Sequence, residues 1–251
     1  MNLRREINRR YVPVRLLGQS NTGEVYLVRD RKTGIQYKLK DIRCGPGACD
    51  NSGKPGDGDK GSDEGKLLRL LSHPGIPMYC DSFCDNQRKI IVTEYIEGNT
   101  LWEESFIRGG IDEEELIGIL IDICDILAYI HGRDVPLIYR DLKPGNIMLG
   151  KNGGIYLIDF GSAVNEGSGS IAEGTGYYAS PEHFSGRVDR RSDIFSLGKT
   201  ALRVSANIRG IPLSVGFMAI IKKATEDKPS DRYQNIFEMR EALIALRRKE
   251  L

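Results

Sequence analysis

A short stretch near the middle of the chain groups residue types that could carry out phosphoryl transfer. Within Tyr139-Arg140-Asp141-Leu142-Lys143-Pro144-Gly145-Asn146, Asp141 is a candidate proton acceptor, Lys143 supplies a positive charge and Asn146 offers an amide oxygen. Asp159-Phe160-Gly161 follows soon after and adds a carboxylate. Transfer of a phosphoryl group from a nucleotide needs this set, because the chemistry is mostly positioning and charge neutralisation around a divalent cation.

The order and spacing of these residues resemble the catalytic loop and the metal-binding loop of protein kinases. The resemblance implies that Asp141 orients the incoming hydroxyl and accepts its proton, while Lys143 neutralises charge on the γ-phosphate. It also implies ATP as phosphate donor, and Mg²⁺, or alternatively Mn²⁺, held by Asn146 and Asp159. Lys143-Pro144-Gly145 is similar to the corresponding tripeptide of serine/threonine kinases.

Two lysines on a predicted strand are candidates for contacts with ATP. Lys38 and Lys40 are two residues apart, so their side chains point to the same face of the strand. By resemblance to the third strand of kinases, Lys40 contacts the α- and β-phosphates, and Glu64 at the start of a short predicted helix holds Lys40 in an ion pair. Lys38 stands where the family has a small residue covering adenine, and we expect its stem to lie over the base.

The segment from Gly18 to Val25 lies between two predicted strands, where backbone amides could approach phosphates. Taken alone, the pattern fits a plain hairpin turn better than a nucleotide-binding loop. It is not a P-loop, because no Lys-Ser or Lys-Thr pair follows the second glycine. A comparable loop in protein kinases implies nucleotide-binding roles for Gly18, Gly23 and Val25, although Ser20 stands where the family has glycine.

The segment Thr93-Glu94-Tyr95-Ile96-Glu97-Gly98 resembles the hinge of protein kinases. The resemblance implies that backbone groups of Glu94 and Ile96 face the edge of adenine and that Thr93 guards the pocket behind it. Met148 is assigned to the same nucleotide site by resemblance.

Other matched positions are expected to hold the site in place. Asp193 resembles the helix aspartate that braces the catalytic loop, and Arg232 resembles the arginine that forms a buried ion pair with Glu182. Four residues would stack into an apolar column joining two lobes: Leu68, Tyr79, Tyr139 and Phe160.

The segment from Asp159 to Glu182 resembles the activation segment and closing tripeptide of kinases. Because Arg140 precedes Asp141, a phosphate on this segment could order the loop through a bidentate contact. Ser168 and Ser170 are the preferred acceptors for autophosphorylation, ahead of Ser162 and Thr175. The alternative is that this glycine- and serine-rich segment is simply flexible.

Strand patterns precede helical patterns, which predicts an α+β fold. The first part of the chain is expected to contain three strands within 12–42, a flexible loop at 44–63, a helix from Glu64 to Leu71, strands near 78–83 and 89–95, and a turn at Glu97-Gly98-Asn99. Asp112 is the predicted N-cap of a long helix ending near His131, and further helices are expected at 193–203, 215–225 and 236–248.

The 251 residues suffice for a single protein kinase catalytic domain covering residues 1–251. The resemblance predicts a bilobal arrangement, with a strand-rich small lobe at roughly 11–96 and a mainly helical large lobe at roughly 97–251. The nucleotide is expected between them.

Composition limits the partners and the compartment. A formal net charge of +1, with both signs interspersed, gives no reason to expect a nucleic-acid partner. Five irregularly spaced cysteines without a secretory leader favour free thiols and a cytoplasmic location. The longest apolar stretch, Leu116 to Ile130, is too short and too charged to span a bilayer, so no membrane segment is expected in this chain.

These features predict an ATP- and Mg²⁺-dependent serine/threonine protein kinase acting on protein hydroxyls. Two alternatives stay open. A pseudokinase or nucleotide-binding scaffold is mildly favoured by Ser20 and Lys38. A small-molecule kinase on the same fold is favoured by the interval between Asp193 and Arg232, which is shorter than the family usually has.

Overall fold

The structure is a computed structural model that describes residues 9–20, 23–43, 64–84, 88–168, 176–205 and 212–250. The chain divides into two compact units. The first contains the described residues as far as Ser72 together with Pro77–Ile96, and the second contains His73–Ile76 and the residues from Glu97 onward. The predicted loop at 44–63 lies outside the described residues.

An antiparallel sheet of five strands forms most of the first unit, in the spatial order β1-β2-β3-β5-β4. The strands are β1 (Tyr11–Ser20), β2 (Gly23–Asp30), β3 (Gln36–Arg43), β4 (Tyr79–Cys84) and β5 (Arg88–Glu94). The short helix α1 (Glu64–Leu68) lies between β3 and β4 in the chain. All five strands agree with the predicted pattern.

The register of this sheet sorts its side chains onto two faces. Side chains alternate along each strand, and the pairing places Lys38 opposite Leu27 on one side and Thr93 on the other. Lys40 pairs with Val25 and so lies on the same face. The opposite face carries a buried apolar cluster of Tyr11, Val28, Leu39, Ile90 and Val92. Burial of this cluster therefore fixes the face on which the two lysines stand.

Helices make up most of the second unit. They are α2 (Leu101–Ile107), α3 (Glu113–His131), α4 (Arg190–Ser205), α5 (Val215–Ala224) and α6 (Ile236–Glu250). The short strands are β6 (Gly98–Thr100), β7 (Leu137–Ile138), β8 (Ile147–Gly150), β9 (Ile155–Leu157) and β10 (Val164–Asn165), paired as β6-β8-β9 and β10-β7. Single 3-10 turns occur at Pro144–Asn146, Pro181–Ser185 and Pro229–Asp231.

The longest helix, α3, follows directly from its sequence. Asp112 caps it, since the side-chain Oδ1 accepts the N–H of Glu115 at 2.8 Å. Three acidic residues occupy the first turn, where the helix dipole favours negative charge. Apolar residues at helical spacing are buried along one side: Leu116, Leu120, Ile123 and Leu127. The predicted N-cap and the predicted end at His131 are confirmed.

Two local predictions were wrong. Within the predicted turn Glu97-Gly98-Asn99, the strand β6 begins at Gly98, which pairs with Gly150 of β8. The helix predicted to reach Leu71 ends at Leu68. There the N–H of Leu70 donates to the carbonyl oxygen of Leu67 at 2.9 Å, which tightens the last turn and stops the helix.

The cysteines also differ from the predicted set of free thiols. Cys80 and Cys124 are free, whereas Cys84 is disulfide-bonded. Burial raises the pKa of the Cys124 thiol, which lies within α3. Spacing along the chain did not reveal the disulfide, because disulfides join cysteines that the fold brings close together.

The strand-rich first unit and the helical second unit confirm the predicted α+β class. Across the ranges that the structure describes, no helix combines the length and the apolar character needed to cross a membrane.

Candidate functional site

In the first unit, the predicted ion pair between Lys40 and Glu64 is present. Lys40 Nζ lies 2.7 Å from Glu64 Oε2, and the two side chains are 22% and 7% exposed. Glu64 is the first residue of α1, where the helix dipole favours a carboxylate. Lys40 is placed by the central strand β3, which pairs with both β2 and β5. The pair therefore joins the sheet to the helix within this unit.

Lys38 stands on the same sheet face as Lys40, as predicted from their spacing. Its cross-strand neighbours are Leu27 and the buried Thr93, and Lys38 itself is partly buried. The lysine stem thus lies between an apolar and a polar side chain. Its proposed role over adenine stays a prediction.

The two glycines of the predicted phosphate loop have different surroundings. A Cβ at Gly23 would meet the carbonyl oxygen of Asp41 at 2.0 Å, so the pairing of β2 with β3 itself requires glycine there. A Cβ at Gly18 would meet nothing within 4 Å. Val25 follows on β2, opposite Lys40. The packing within the sheet thus explains Gly23 but not Gly18.

The predicted hinge follows β5. Glu94 already uses its N–H to donate to the carbonyl oxygen of Met78 at 2.8 Å. Ile96 is buried, and its N–H donates no hydrogen bond within the described residues. A buried backbone donor usually has a partner, so the N–H of Ile96 is suited to donate to an acceptor atom of a ligand.

In the second unit, two of the predicted residues, Lys143 and Asn146, converge on the carboxylate of a third, Asp141. Lys143 Nζ lies 3.0 and 2.8 Å from the two carboxylate oxygens of Asp141. Asn146 Nδ2 donates to Asp141 Oδ2 and to the Asp141 carbonyl oxygen, both at 2.8 Å. The 3-10 turn Pro144–Asn146 brings Asn146 back toward Asp141. Base, cation and amide therefore form one hydrogen-bonded group.

The hairpin of β8 and β9 places Asn146 and Asp159 at the same end. Ile147 pairs with Leu157, and the N–H of Ile158 donates to the Asn146 carbonyl oxygen at 2.9 Å. Asn146 Nδ2 is engaged by Asp141, which leaves Asn146 Oδ1 without a hydrogen bond inside the described residues. Asp159 has a φ of 66°, and its Oδ1 accepts the N–H of Gly161 at 3.2 Å.

These oxygen donors fit a hard divalent cation. No cluster of three or more His, Cys, Asp or Glu side chains suited to a metal exists in the described parts of the chain. One amide oxygen and one carboxylate suit Mg²⁺ nonetheless, because Mg²⁺ keeps several waters and takes further oxygens from substrate phosphates. Met148 lies on β8, directly after this turn.

A buried aspartate holds the backbone before Asp141. Asp193 Oδ2 accepts the N–H of Tyr139 at 2.8 Å, and its Oδ1 accepts the N–H of Arg140 at 2.9 Å. The predicted brace is therefore present. His131 Nε2 lies 2.8 Å from Asp193 Oδ2, a contact that the sequence analysis missed. A lone histidine at a helix end gave no signal that it would meet an aspartate of a distant helix.

The backbone of Arg140 is strained. Its φ is 68°, and the N–H of Asp141 donates across it to the carbonyl oxygen of Tyr139 at 3.0 Å, which forms a γ-turn. A positive φ in a non-glycine residue costs about 1–3 kcal/mol and persists only where the surroundings impose it. The contacts with Asp193 supply that constraint.

Part of the predicted apolar column lies in this unit. The rings of Tyr139 and Phe160 meet edge to face with centroids 5.1 Å apart, and the Tyr139 hydroxyl donates to the carbonyl oxygen of Ile158. Leu68 and Tyr79 belong to the first unit. Stacking of all four residues stays a prediction.

The predicted pair of Glu182 with Arg232 is bidentate and buried. The two N–O distances are 2.7 and 2.9 Å, and the Arg232 side chain is 0% exposed. Burial alone would raise the pKa of Glu182, but hydrogen bonds from Arg232, Ser192 and Ser180 outweigh it and lower the pKa to about 2. The hydrogen bonds from the two serines were not predicted.

The activation segment is only partly described. Arg140 Nε donates to the carbonyl oxygen of Ser162 at 2.5 Å, and burial lowers the pKa of the Arg140 guanidinium. Ser168 is the last described residue before the gap at 169–175. Ser170 and Thr175 lie outside the described residues, and nothing in the structure tests Ser168, so the preferred acceptors Ser168 and Ser170 stay predictions.

The sequence matches a known family over most of its length. Residues 11–233 match the profile described as the protein kinase domain. Serine/threonine-protein kinase PknB of Mycolicibacterium smegmatis is 28% identical over 281 residues, covering 97% of this chain and 44% of the relative. The probable serine/threonine-protein kinase SCO3848 of Streptomyces coelicolor is 30% identical, covering 94% of this chain and 40% of the relative.

A third relative extends the comparison. Serine/threonine-protein kinase PknD of Chlamydia trachomatis serovar D is 29% identical over 301 residues, covering 93% of this chain and 31% of the relative. The chain thus spans less than half the length of the relatives it is compared with.

Proposed function

Since the chain belongs to the protein kinase domain family, we propose that it transfers the γ-phosphate of ATP to serine or threonine hydroxyls of proteins. The observation that carries the proposal is the convergence of Lys143 and Asn146 on the carboxylate of Asp141. The printed names of the three bacterial relatives, all serine/threonine-protein kinases, support the choice of acceptor.

Within this proposal, Asp141 orients the acceptor hydroxyl and takes its proton. Lys143, which lies 2.8 Å from the Asp141 carboxylate, supplies positive charge where the γ-phosphate is transferred. Holding the base and the cation in one network lowers the barrier through positioning, because little rearrangement is then needed during the reaction.

We assign Asn146 and Asp159 to the divalent cation, either Mg²⁺ or Mn²⁺. The Oδ1 of Asn146, which makes no hydrogen bond with the described residues, and the carboxylate of Asp159 at the end of the β8–β9 hairpin support this assignment. When bound, the ion supplies neutralisation of phosphate charge.

We assign Lys40 to the α- and β-phosphates, with Glu64 keeping its ammonium group in place. The nucleotide site further includes residues assigned by family resemblance: Gly18, Gly23, Val25, Lys38, Thr93, Glu94, Ile96 and Met148. The N–H of buried Ile96, which has no hydrogen-bond partner among the described residues, supports contact with the edge of adenine.

Transfer of radiolabelled γ-phosphate to a generic basic protein tests the proposal. Wild type should incorporate label when Mg²⁺ or Mn²⁺ is present and should incorporate none when a chelator removes the metal ion. Asp159→Ala and Lys40→Met should both abolish incorporation. Lys151→Met is the matched control for Lys40→Met, because Lys151 forms an exposed ion pair of 2.6 Å with Glu97. Full incorporation by Asp159→Ala, or none by wild type, would overturn the proposal.

The same assay separates the two alternatives. A pseudokinase would bind nucleotide without incorporating label, whereas the ion pair of Lys40 with Glu64 and the Asp141 network favour turnover. A small-molecule kinase would consume ATP with a metabolite panel and leave proteins unlabelled. Added mass on the intact protein after incubation with ATP and Mg²⁺ would reveal the autophosphorylation that we also propose.

Location and partners belong to the proposal as well. We propose a cytoplasmic protein with ATP and a protein substrate as partners and without a nucleic-acid partner, consistent with its net charge of +1. The disulfide at Cys84 runs against a reducing compartment. Thiol labelling of protein taken directly from cells would decide whether Cys84 is oxidised there.

A further inference from the structure

His183 lies in the 3-10 turn Pro181–Ser185 and is 1% exposed. Its Nδ1 lies 3.2 Å from the backbone nitrogen of Ser180 and 2.7 Å from Ser180 Oγ. Because a backbone N–H can only donate, Nδ1 is an acceptor, and the proton of the neutral ring is on Nε2. The turn thus fixes the tautomer of His183.

The other ring nitrogen, Nε2, is buried and has no hydrogen-bond partner among the described residues. The backbone of Arg140 is among the groups near enough to act on the ring. Burial disfavours a second proton on the ring, and the guanidinium of Arg140 opposes it as well. The carboxylates of Asp193 and Glu182 and the backbone of Arg140 favour it, but burial is the strongest influence and the pKa of His183 is lowered.

The Arg140 backbone near His183 is the strained one. Arg140 is the centre of the γ-turn that leads directly into Asp141. Asp193 holds the N–H of Arg140 at 2.9 Å, which restrains one side of this residue. The Nε2–H of His183 is a buried donor whose surroundings include the Arg140 backbone, so it can add a second restraint to this turn.

From this geometry we infer that His183 is a positioning residue, which uses Nε2–H to hold the Arg140 turn and thereby the placement of Asp141. The inference rests on the proposed kinase function. It links the turn after Ser180 to the loop that carries the base. Protonation of Nδ1 would break this link, because the imidazolium cannot accept the N–H of Ser180.

Two substitutions of His183 distinguish its proposed role in positioning the Arg140 turn from a role limited to capping its own turn at Ser180. In His183→Gln, the amide nitrogen can replace Nε2 as the donor toward Arg140. In His183→Asn, the amide oxygen can replace Nδ1 as the acceptor for Ser180, but nothing reaches Arg140. We expect kcat to fall roughly tenfold in His183→Asn and by no more than about threefold in His183→Gln, with KM for ATP unchanged in both. The reverse order would overturn the inference.

The pH profile gives a second readout. Loss of the link on protonation should give wild-type kcat an acid limb below the ordinary histidine pKa of 6.5, since the pKa of His183 is lowered. His183→Gln should lack this limb. His73→Asn is the matched control, because His73 Nδ1 also accepts a local backbone N–H, that of Gly75 at 3.0 Å. His73→Asn should keep the limb, and a limb that survives in His183→Gln would count against the inference.

Nuclear magnetic resonance tests the link without relying on activity. As the pH is lowered below 6.5 and His183 takes up a proton in wild type, the backbone amide signals of Arg140 and Asp141 should move with it, and they should stay still in His183→Gln. If the signals shift together but the protein transfers no phosphate, the link between His183 and Arg140 is supported and the kinase proposal is wrong. If wild type transfers phosphate but the signals do not shift together, the link is wrong and the kinase proposal is unaffected.

Discussion

The two compact units hold their candidate chemical groups in different ways. In the second unit, the Asp141 carboxylate receives hydrogen bonds from Lys143 and Asn146, and buried Asp193 fixes the preceding backbone. In the first unit, Lys40 is held by Glu64 from a helix of five residues. The groups assigned to chemistry are therefore held by long and buried supports, whereas the lysine assigned to the nucleotide forms its ion pair with a residue of a short helix.

The lengths of the supporting helices explain part of this difference. Asp193 lies on α4, which has 16 residues and a largely buried inner side. A helix as short as α1 does not persist alone in water, because nucleation is unfavourable. Packing of its buried residues, Glu64, Gly65 and Leu68, must stabilise α1. The position of Glu64 is therefore set by tertiary contacts rather than by the helix itself.

Asp141→Asn should give the largest effect and tests whether the second unit carries the chemistry. Asparagine keeps the shape of the side chain but removes the proton acceptor, so kcat should fall roughly 10³- to 10⁴-fold. Steady-state kinetics with a protein substrate measure this, and thermal unfolding should show a folded variant. Lys40→Met in the first unit should instead weaken ATP binding, because Lys40 is assigned to the nucleotide, and a direct binding measurement shows this without turnover. If Asp141→Asn lost only affinity for ATP and kept its kcat, the assignment of the chemical step to the second unit would be wrong.

Arg232→Ala should give the next largest effect, on stability. It leaves the buried carboxylate of Glu182 without its bidentate partner, and losing one member of a buried pair costs about 3–5 kcal/mol. Arg108→Ala is the matched control, because Arg108 also forms a bidentate pair, with Glu115 at 2.6 and 2.7 Å, but on the surface. Its loss should cost no more than about 1 kcal/mol. Urea unfolding of both variants measures the difference, and equal losses would contradict the importance of burial.

Acid should reveal the same pair through the pKa of Glu182, which is lowered from 4.5 to about 2 in the folded protein. A lowered pKa stabilises the fold above the unfolded value, and that stabilisation is lost as pH falls from about 4.5 toward 2. The free-energy advantage of wild type over Glu182→Gln should therefore shrink by about 2 kcal/mol between roughly pH 6 and pH 3. Urea unfolding across this range measures the advantage, and a constant difference would mean that Glu182 does not titrate as described.

Much of this arrangement could be predicted from the sequence, because local signals and motif spacing carry it. The N-cap at Asp112 and the alternation that puts Lys38 and Lys40 on one face follow from rules that act over a few residues. The pairs of Lys40 with Glu64 and of Glu182 with Arg232 came instead from family resemblance, since no local rule joins such distant positions.

What the sequence did not reveal depends on contacts between distant segments. His131 and His183 lie at unremarkable places in the chain, yet both approach the Asp193 and Arg140 region in the fold. Gly98 resembled a turn residue because its pairing with Gly150 is not visible locally. Roles in the nucleotide site, such as that of Lys38, require a bound ligand or an assay and stay predictions.

The smallest expected effect distinguishes two glycines within the first unit. Gly23→Ala places a Cβ 2.0 Å from the Asp41 carbonyl oxygen, and relieving that contact by shifting β2 against β3 should cost about 1–3 kcal/mol. Gly18→Ala meets nothing within 4 Å of the new carbon, so its stability should stay within about 0.5 kcal/mol of wild type. If Gly18 faces phosphate, however, this variant should raise KM for ATP. Urea unfolding and ATP kinetics on both variants measure these effects. If Gly18→Ala is destabilised and its KM for ATP is unchanged, then Gly18, like Gly23, is needed for the packing of the sheet and not for nucleotide binding.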